Sequence, residues 1–201
     1  PVQGNDTTRR IYVNPVARED LDARTPENKQ SRKWFEQYMT QFYDHLESKN
    51  WTQHWWIYAA DEPHQPEWKE PLTRYFAIIR KCAPKLRIMV TREPTDSFGP
   101  NLDIACIMMN HLRDDTHNTA RSLKQELWCY SCGHLNNPGL TLRESAVDIR
   151  TWFWLQEKWN IRRVLLWHAS VYGHTFVKPG ADGRGDGQVF YFRRRGDGPD
   201  E

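Results

Sequence analysis

The sequence predicts an α/β fold built from parallel βα units, and three observations carry that prediction. Short apolar runs alternate with segments of helical period along most of the chain. The runs are near-continuous in apolar residues, as expected of strands covered on both faces. A full (β/α)₈ barrel takes roughly 250 residues, or about 31 per unit. The 201 residues here therefore hold about six units on that arithmetic. Two architectures fit, an open α/β sheet or most of a barrel with units missing, and no internal repeat decides between them.

From the first residue onward, 1–30 are polar and broken by Pro1, Gly4, Pro15 and Pro26, with one β-like run at Arg10-Ile11-Tyr12-Val13. From 31 to 49, Trp34, Phe35, Tyr38, Met39, Phe42, Tyr43 and Leu46 make one broad apolar helical face, with Ser31 as its N-cap. Trp55 to Ala60 reads as a buried strand. Pro71 suits the first turn of a helix, Leu72, Tyr75, Phe76 and Ile79 continue it, and Pro84 stops it. Strands are expected at Leu86–Thr91 and Leu102–Met108, a short helix around Thr116–Lys124, and a strand at Glu126–Ser131. Thr141 and Glu144 have the spacing of a capping box, opening a helix that runs to about Trp159, in which Trp152 and Trp159 are packing residues. Arg163–Ala169 is the next strand. A Gly/Asp-rich loop at 180–187 precedes a last β-like run, Gln188–Phe192. The domain plan is an irregular leading segment at 1–30, a partial (β/α) domain at 31–192 and a tail at 193–201.

Composition excludes several classes. The formal charge is 28 − 26 = +2, without the basic face of a nucleic-acid binder. The longest apolar runs, such as Trp55–Ala60, fall far short of the about 20 residues of a membrane-spanning helix. Ten Trp are too many large apolar side chains for a disordered segment. The four Cys, at 82, 106, 129 and 132, are too sparse for a disulfide scaffold. The first residue is Pro and no leader-like region follows, so the natural start is expected upstream.

The segment richest in chemistry is Trp56-Ile57-Tyr58-Ala59-Ala60-Asp61-Glu62-Pro63. Two adjacent carboxylates follow an apolar strand directly, and the C-terminal ends of strands carry the active sites of α/β folds. Pro63 biases Glu62 toward an extended backbone. On position alone the pair also reads as solvated loop residues. Neighbouring side chains on a strand point to opposite faces, so they cannot flank a glycosidic bond as the usual retaining pair does, with carboxyls about 5–5.5 Å apart. They suit another division of labour, in which Glu protonates the leaving oxygen and Asp holds a nucleophile supplied by the substrate. The 2-acetamido group of an N-acetylhexosamine is such a nucleophile.

Four blocks carry a family resemblance. Tyr58-x-x-Asp61-Glu62-Pro63 resembles the Asp-Glu-Pro motif of glycoside hydrolase family 123, and Trp128-Cys129-Tyr130-Ser131-Cys132-Gly133 resembles that family's aromatic strand end. Arg150-x-x-x-Trp154-Leu155-x-x-Lys158-Trp159-x-Ile161 with Val164-Leu165-Leu166-Trp167 is similar to a third family block, and Gly185-Asp186-Gly187-Gln188-Val189-Phe190-Tyr191 to a fourth. The chain departs from the family pattern at Asn160 and Arg163, where Gly is usual, and at Ser170, where Asn is frequent. It departs also at Phe192-Arg193 and in Leu102–Ile107, which lacks the usual Trp and Pro.

The resemblance implies a (β/α)₈ TIM-type barrel with the Asp-Glu pair ending its fourth strand. Counting onward makes this chain a fragment covering about strands 3–8, with the rest of the parent barrel missing. It implies a glycoside hydrolase that removes terminal β-linked N-acetylhexosamine, N-acetylgalactosamine favoured, from an oligosaccharide or glycoconjugate. The mechanism would be retaining and substrate-assisted, with no cofactor, and the family-level location is extracytoplasmic or secreted. Glu62 would be the acid and then the base, and Asp61 would orient the acetamido nitrogen. Trp128, Tyr130, Trp167 and Tyr172 are candidate pocket walls and His168 a candidate hydroxyl contact, although each also fits a core position.

Other motifs are weaker. Cys129-x-x-Cys132 has no second pair for zinc, although His111 and His134 are potential ligands. The loop at Asp182–Gly187 resembles a calcium loop, but Arg184 and Arg193 fall on ligand positions. Two other functions stay open: a non-catalytic carbohydrate-binding protein, and a glycosidase for a sugar without an acetamido group. The latter requires a second carboxylate, for which Asp103 and Asp148 are the candidates.

Overall fold

The structure, a computed structural model, describes residues 26–131 and 145–166, which form four α-helices and five β-strands. In chain order these are α1 (Pro26–Ser48), β1 (Trp56–Ala60), α2 (Lys69–Cys82), β2 (Arg87–Val90), β3 (Ile104–Met108), α3 (Asp114–Leu123), β4 (Glu126–Tyr130), α4 (Ala146–Lys158) and β5 (Val164–Leu165). The strands make one sheet in the order β1-β2-β3-β4-β5, and β1–β2, β2–β3 and β4–β5 pair parallel.

The α/β alternation is as expected, but the barrel is not. The described strands form an open five-stranded sheet with β1 and β5 at opposite ends of the order. The expected barrel fragment covering strands 3–8 would place six strands side by side, and the described residues give five, so a partial parallel α/β sheet stands in its place. β5 is two residues long where a strand over Arg163–Ala169 was expected. The expected strands at Ile11–Val13 and Gln188–Phe192 lie outside the described residues, as do 167–169.

Two compact units divide the described residues: 26–107 with 113–127, and 108–112 with 128–131 and 145–166. In the first, α1 begins at Pro26, five residues before the expected Ser31 cap, because the fixed φ of Pro suits a first helical position. Its buried face is narrower than the sequence suggests. Met39, Tyr43 and Leu46 are buried, while Trp34 and Tyr38 are 63% and 62% exposed, because they lie on the flank of that stripe. The ring of Phe35 meets Tyr75 of α2 at 5.5 Å between centroids.

Helix α2 presents Leu72, Tyr75, Phe76 and Ile79, all essentially fully buried, to Ile88 and Val90 of β2 and to Phe98. Each such side chain contributes about 1.5–3 kcal/mol through the water it sheds. The helix stops at Cys82 because Pro84 disfavours helical backbone at Ala83. Arg80 then ties the turn: its Nη1 donates to the carbonyls of Pro84 (3.0 Å) and Leu86 (2.9 Å), and Nη2 to that of Asn101 (2.9 Å).

In the second unit, α4 is capped by Ser145 and Asp148, each side chain accepting the other's backbone N–H. This replaces the expected Thr141/Glu144 box, and those two residues lie outside the described part. Trp152 is buried, as a packing residue should be. Asn160, where the resembled family usually has Gly, has φ 51°, left-handed backbone that Asn tolerates better than most residues.

Candidate active site

An irregularity in β1 decides where Asp61 and Glu62 sit. Trp56, Ile57 and Tyr58 pair in step with Arg87, Ile88 and Met89, but Val90 pairs with Ala60 and not with Ala59. A regular ladder would carry Asp61 on to Arg92. The extra residue sets Asp61 beside Thr91, whose N–H donates to the Ala60 carbonyl at 3.3 Å. Such bulges re-aim side chains where strands end.

Two hydroxyls converge on one carboxylate oxygen at this point. Tyr58 donates to Oδ1 of Asp61 at 2.6 Å, and Thr91 Oγ1 donates to the same atom at 2.8 Å. The Thr91 oxygen accepts the backbone N–H of Glu62 at 2.7 Å. An N–H can only donate, which leaves the single Thr91 hydrogen for Asp61. Hydroxyl bonds to an ionised carboxylate are short and strong. Burial, and then the hydrogen bond to Asp61, raise the Tyr58 hydroxyl well above the usual phenol range, so it stays a donor. Thr91 is buried, while Asp61 and Glu62 face solvent.

Glu62 is not extended, contrary to the bias expected from Pro63. Its φ is 43°, a conformation that costs a non-glycine residue about 1–3 kcal/mol and persists only when its surroundings hold it. The surroundings are visible. Thr91 takes its N–H, and its carbonyl accepts the N–H of His64 at 2.8 Å, closing a tight turn around Pro63. Arg92 donates to the Pro63 carbonyl at 2.8 Å, with its guanidinium 5.5 Å from the Phe98 ring centroid. His64 Nδ1 lies 3.9 Å from a Glu93 carboxylate oxygen.

The other two candidate carboxylates are engaged elsewhere. Asp103 precedes β3, at the end of the strands opposite to Asp61. It pairs with Arg80 at 2.6 Å and accepts the Ile88 N–H at 2.7 Å. Asp148 belongs to the cap of α4. Among the described residues no group of three or more His, Cys, Asp or Glu is placed to hold a metal ion. Cys132 and His134 of the zinc reading, and the calcium-like loop, lie outside those residues.

The model of the glycoside hydrolase 123 catalytic domain matches residues 5–193. The chain belongs to glycoside hydrolase family 123. No curated protein matches it. A glycoside hydrolase acts on a carbohydrate, and no helix among the described residues is long and apolar enough to cross a membrane.

The sugar-contact candidates of this glycoside hydrolase divide into two groups. Trp128 and Tyr130, on β4 in the second unit, are both buried, and the Arg163 guanidinium lies 5.2 Å from the Trp128 ring centroid. Trp167, His168 and Tyr172 lie outside the described residues. Sequence reasoning does not single out Thr91 or Arg92. A signal exists, since Thr91 is the one hydroxyl residue closing the apolar run Leu86–Thr91, but strand pairing and the bulge are needed to set it beside Asp61. Tyr58 stands in the motif without a role that the sequence assigns.

Proposed function

We propose that this glycoside hydrolase removes terminal β-linked N-acetylhexosamine, N-acetylgalactosamine favoured, by a retaining, substrate-assisted mechanism. The observation that carries the reading is the double clamp on Oδ1 of Asp61 beside a solvent-facing Glu62. With both hydroxyl hydrogens on Oδ1, Oδ2 has no hydrogen-bond partner among the described residues and is available to an acetamido N–H. Glu62 donates a proton to the glycosidic oxygen as the acetamido oxygen attacks the anomeric carbon. The bond to the leaving group breaks, and Asp61 stabilises the positive oxazolinium. Glu62, now a carboxylate, takes a proton from water, which opens the ring from the same face the aglycone left. Configuration is retained because the anomeric carbon is inverted twice.

Supporting this over a two-carboxylate mechanism is the engagement of Asp103 and Asp148 in structural pairs. Trp128, Tyr130, Trp167, His168 and Tyr172 remain the proposed sugar contacts. The test is to assay 4-nitrophenyl β-N-acetylgalactosaminide and the N-acetylglucosaminide side by side, with Asp61→Asn and Glu62→Gln. Turnover lost in both variants is expected, with the galacto sugar preferred. A folded protein that binds these sugars without turnover would make it a carbohydrate-binding protein instead.

A further inference from the structure

We infer that Thr91 is a positioning residue for both carboxylates at once, an inference that rests on the roles proposed for Asp61 and Glu62. One buried oxygen atom joins them. It accepts from the Glu62 backbone at 2.7 Å and donates to Asp61 Oδ1 at 2.8 Å. Tyr58, by contrast, holds Asp61 alone, apart from a 3.1 Å contact with Thr91 itself.

Three features make Thr91 more than a neighbour. The β1 irregularity brings Thr91 to this place, since a regular register would set Arg92 opposite Asp61. Glu62 has φ 43°, and its N–H bond to Thr91 Oγ1, with the His64 N–H on its carbonyl, helps hold it there. Direction matters as well. The Glu62 N–H obliges the Thr91 oxygen to accept, and so directs the hydroxyl hydrogen at Asp61. That polarity gives the Asp61 oxygen facing Thr91 a fixed donor. Valine has the same shape and β-branching as threonine but can do neither job.

The expected consequences are kinetic. Thr91→Val lowers kcat about 10–100-fold, the scale of a lost hydrogen bond to a charged group. KM changes by less than about twofold, because the loss falls on the transition state and not on substrate binding. The loss is larger with a phenyl leaving group, which needs protonation, than with 2,4-dinitrophenyl, which leaves without help. Thr91→Ser restores the hydroxyl and with it kcat to within about threefold.

The experiment measures kcat and KM for the unmodified protein, Thr91→Val, Thr91→Ser and Glu62→Gln on phenyl, 4-nitrophenyl and 2,4-dinitrophenyl β-N-acetylgalactosaminides, with a melting curve for each. If Thr91→Val melts below the assay temperature, Thr91→Cys, whose thiol is a weak donor, takes its place against Thr91→Ser. A folded Thr91→Val with unchanged kcat, or an equal loss on all three leaving groups, overturns the inference while Glu62→Gln still reports the acid. Equal losses in Thr91→Val and Thr91→Ser overturn it too. No turnover by the unmodified protein overturns the functional reading itself, and the inference with it.

Discussion

The Tyr58 hydroxyl donates a 2.6 Å hydrogen bond to Oδ1 of Asp61, three residues later in the chain and around the bend that ends β1. The pairing is local, while the shift in register sets the same carboxylate beside Thr91, just after β2. Half-buried Tyr58 keeps its proton because burial, and then the carboxylate beside it, oppose a second negative charge. A phenol so held is a fixed donor, and it orders the carboxylate before any substrate arrives.

Tyr58→Phe removes that donor and leaves the ring. Asp61 keeps the Thr91 bond but loses the shorter of its two. A fall in kcat of about tenfold or more is expected, with KM little changed, since a hydrogen bond to a charged group contributes about 1.5–3 kcal/mol. Steady-state kinetics on the 4-nitrophenyl N-acetylgalactosaminide checks it, and an unchanged kcat would show that the Tyr58 bond is dispensable.

Asp103 makes the contrasting case. It accepts from Arg80 and from the Ile88 N–H, so Asp103→Ala strands a backbone donor at the far end of the strands, while Arg80 keeps its three carbonyl partners. Both side chains are about a third exposed, 27% and 33%, and solvent screening discounts the pair. A loss of about 2 kcal/mol in unfolding free energy is expected, mostly from the stranded Ile88 N–H. Urea denaturation measures it, and kcat of the folded fraction should be unchanged. A stable variant with no turnover would bring Asp103 into the chemistry.

Cysteine labelling tests the packing independently. Cys106 and Cys129 are wholly buried and Cys82 is half-buried. Burial pushes the Cys129 thiol up to about 12, and the thiolate is the reacting form. Iodoacetamide on the native protein should therefore modify Cys82 and spare Cys106 and Cys129, as peptide mapping by mass spectrometry would show. Raising the pH from 7 to 9 should not expose Cys129, because its raised pKa keeps the neutral thiol across that range. Rapid native labelling of Cys129 would contradict the burial of β4.

The α/β element order, and the place of Asp61 and Glu62 at the end of a strand, are legible in the sequence, for identifiable reasons. The elements around α2 come through because Pro71 and Pro84 bracket the helix and its apolar spacing is regular. Asp61 and Glu62 stand out because two carboxylates directly follow an apolar run. The start of α1 is misplaced because Ser31 is an acceptable cap and Pro26, which suits a first helical position, also reads as a break in the chain. The cap of α4 falls four residues later than expected because Thr141/Glu144 and Ser145/Asp148 have the same spacing. Thr91 is invisible as a site residue because its role depends on a one-residue slip between two strands. The strand count does not follow from length and resemblance, because an apolar run alone does not say whether it joins the sheet.

The most direct test of the central claim concerns the nucleophile. If the acetamido oxygen attacks the anomeric carbon, withdrawing electrons from it must slow the reaction. The measurement is kcat/KM for 4-nitrophenyl β-galactosaminides bearing N-acetyl, N-fluoroacetyl, N-difluoroacetyl and N-trifluoroacetyl groups. A stepwise fall with each fluorine, abolished activity in Asp61→Asn and Glu62→Gln, and a β-configured first product are predicted. A flat series, with turnover that survives Asp61→Asn, would mean that the substrate supplies no nucleophile, and the assignment of Asp61 would fall.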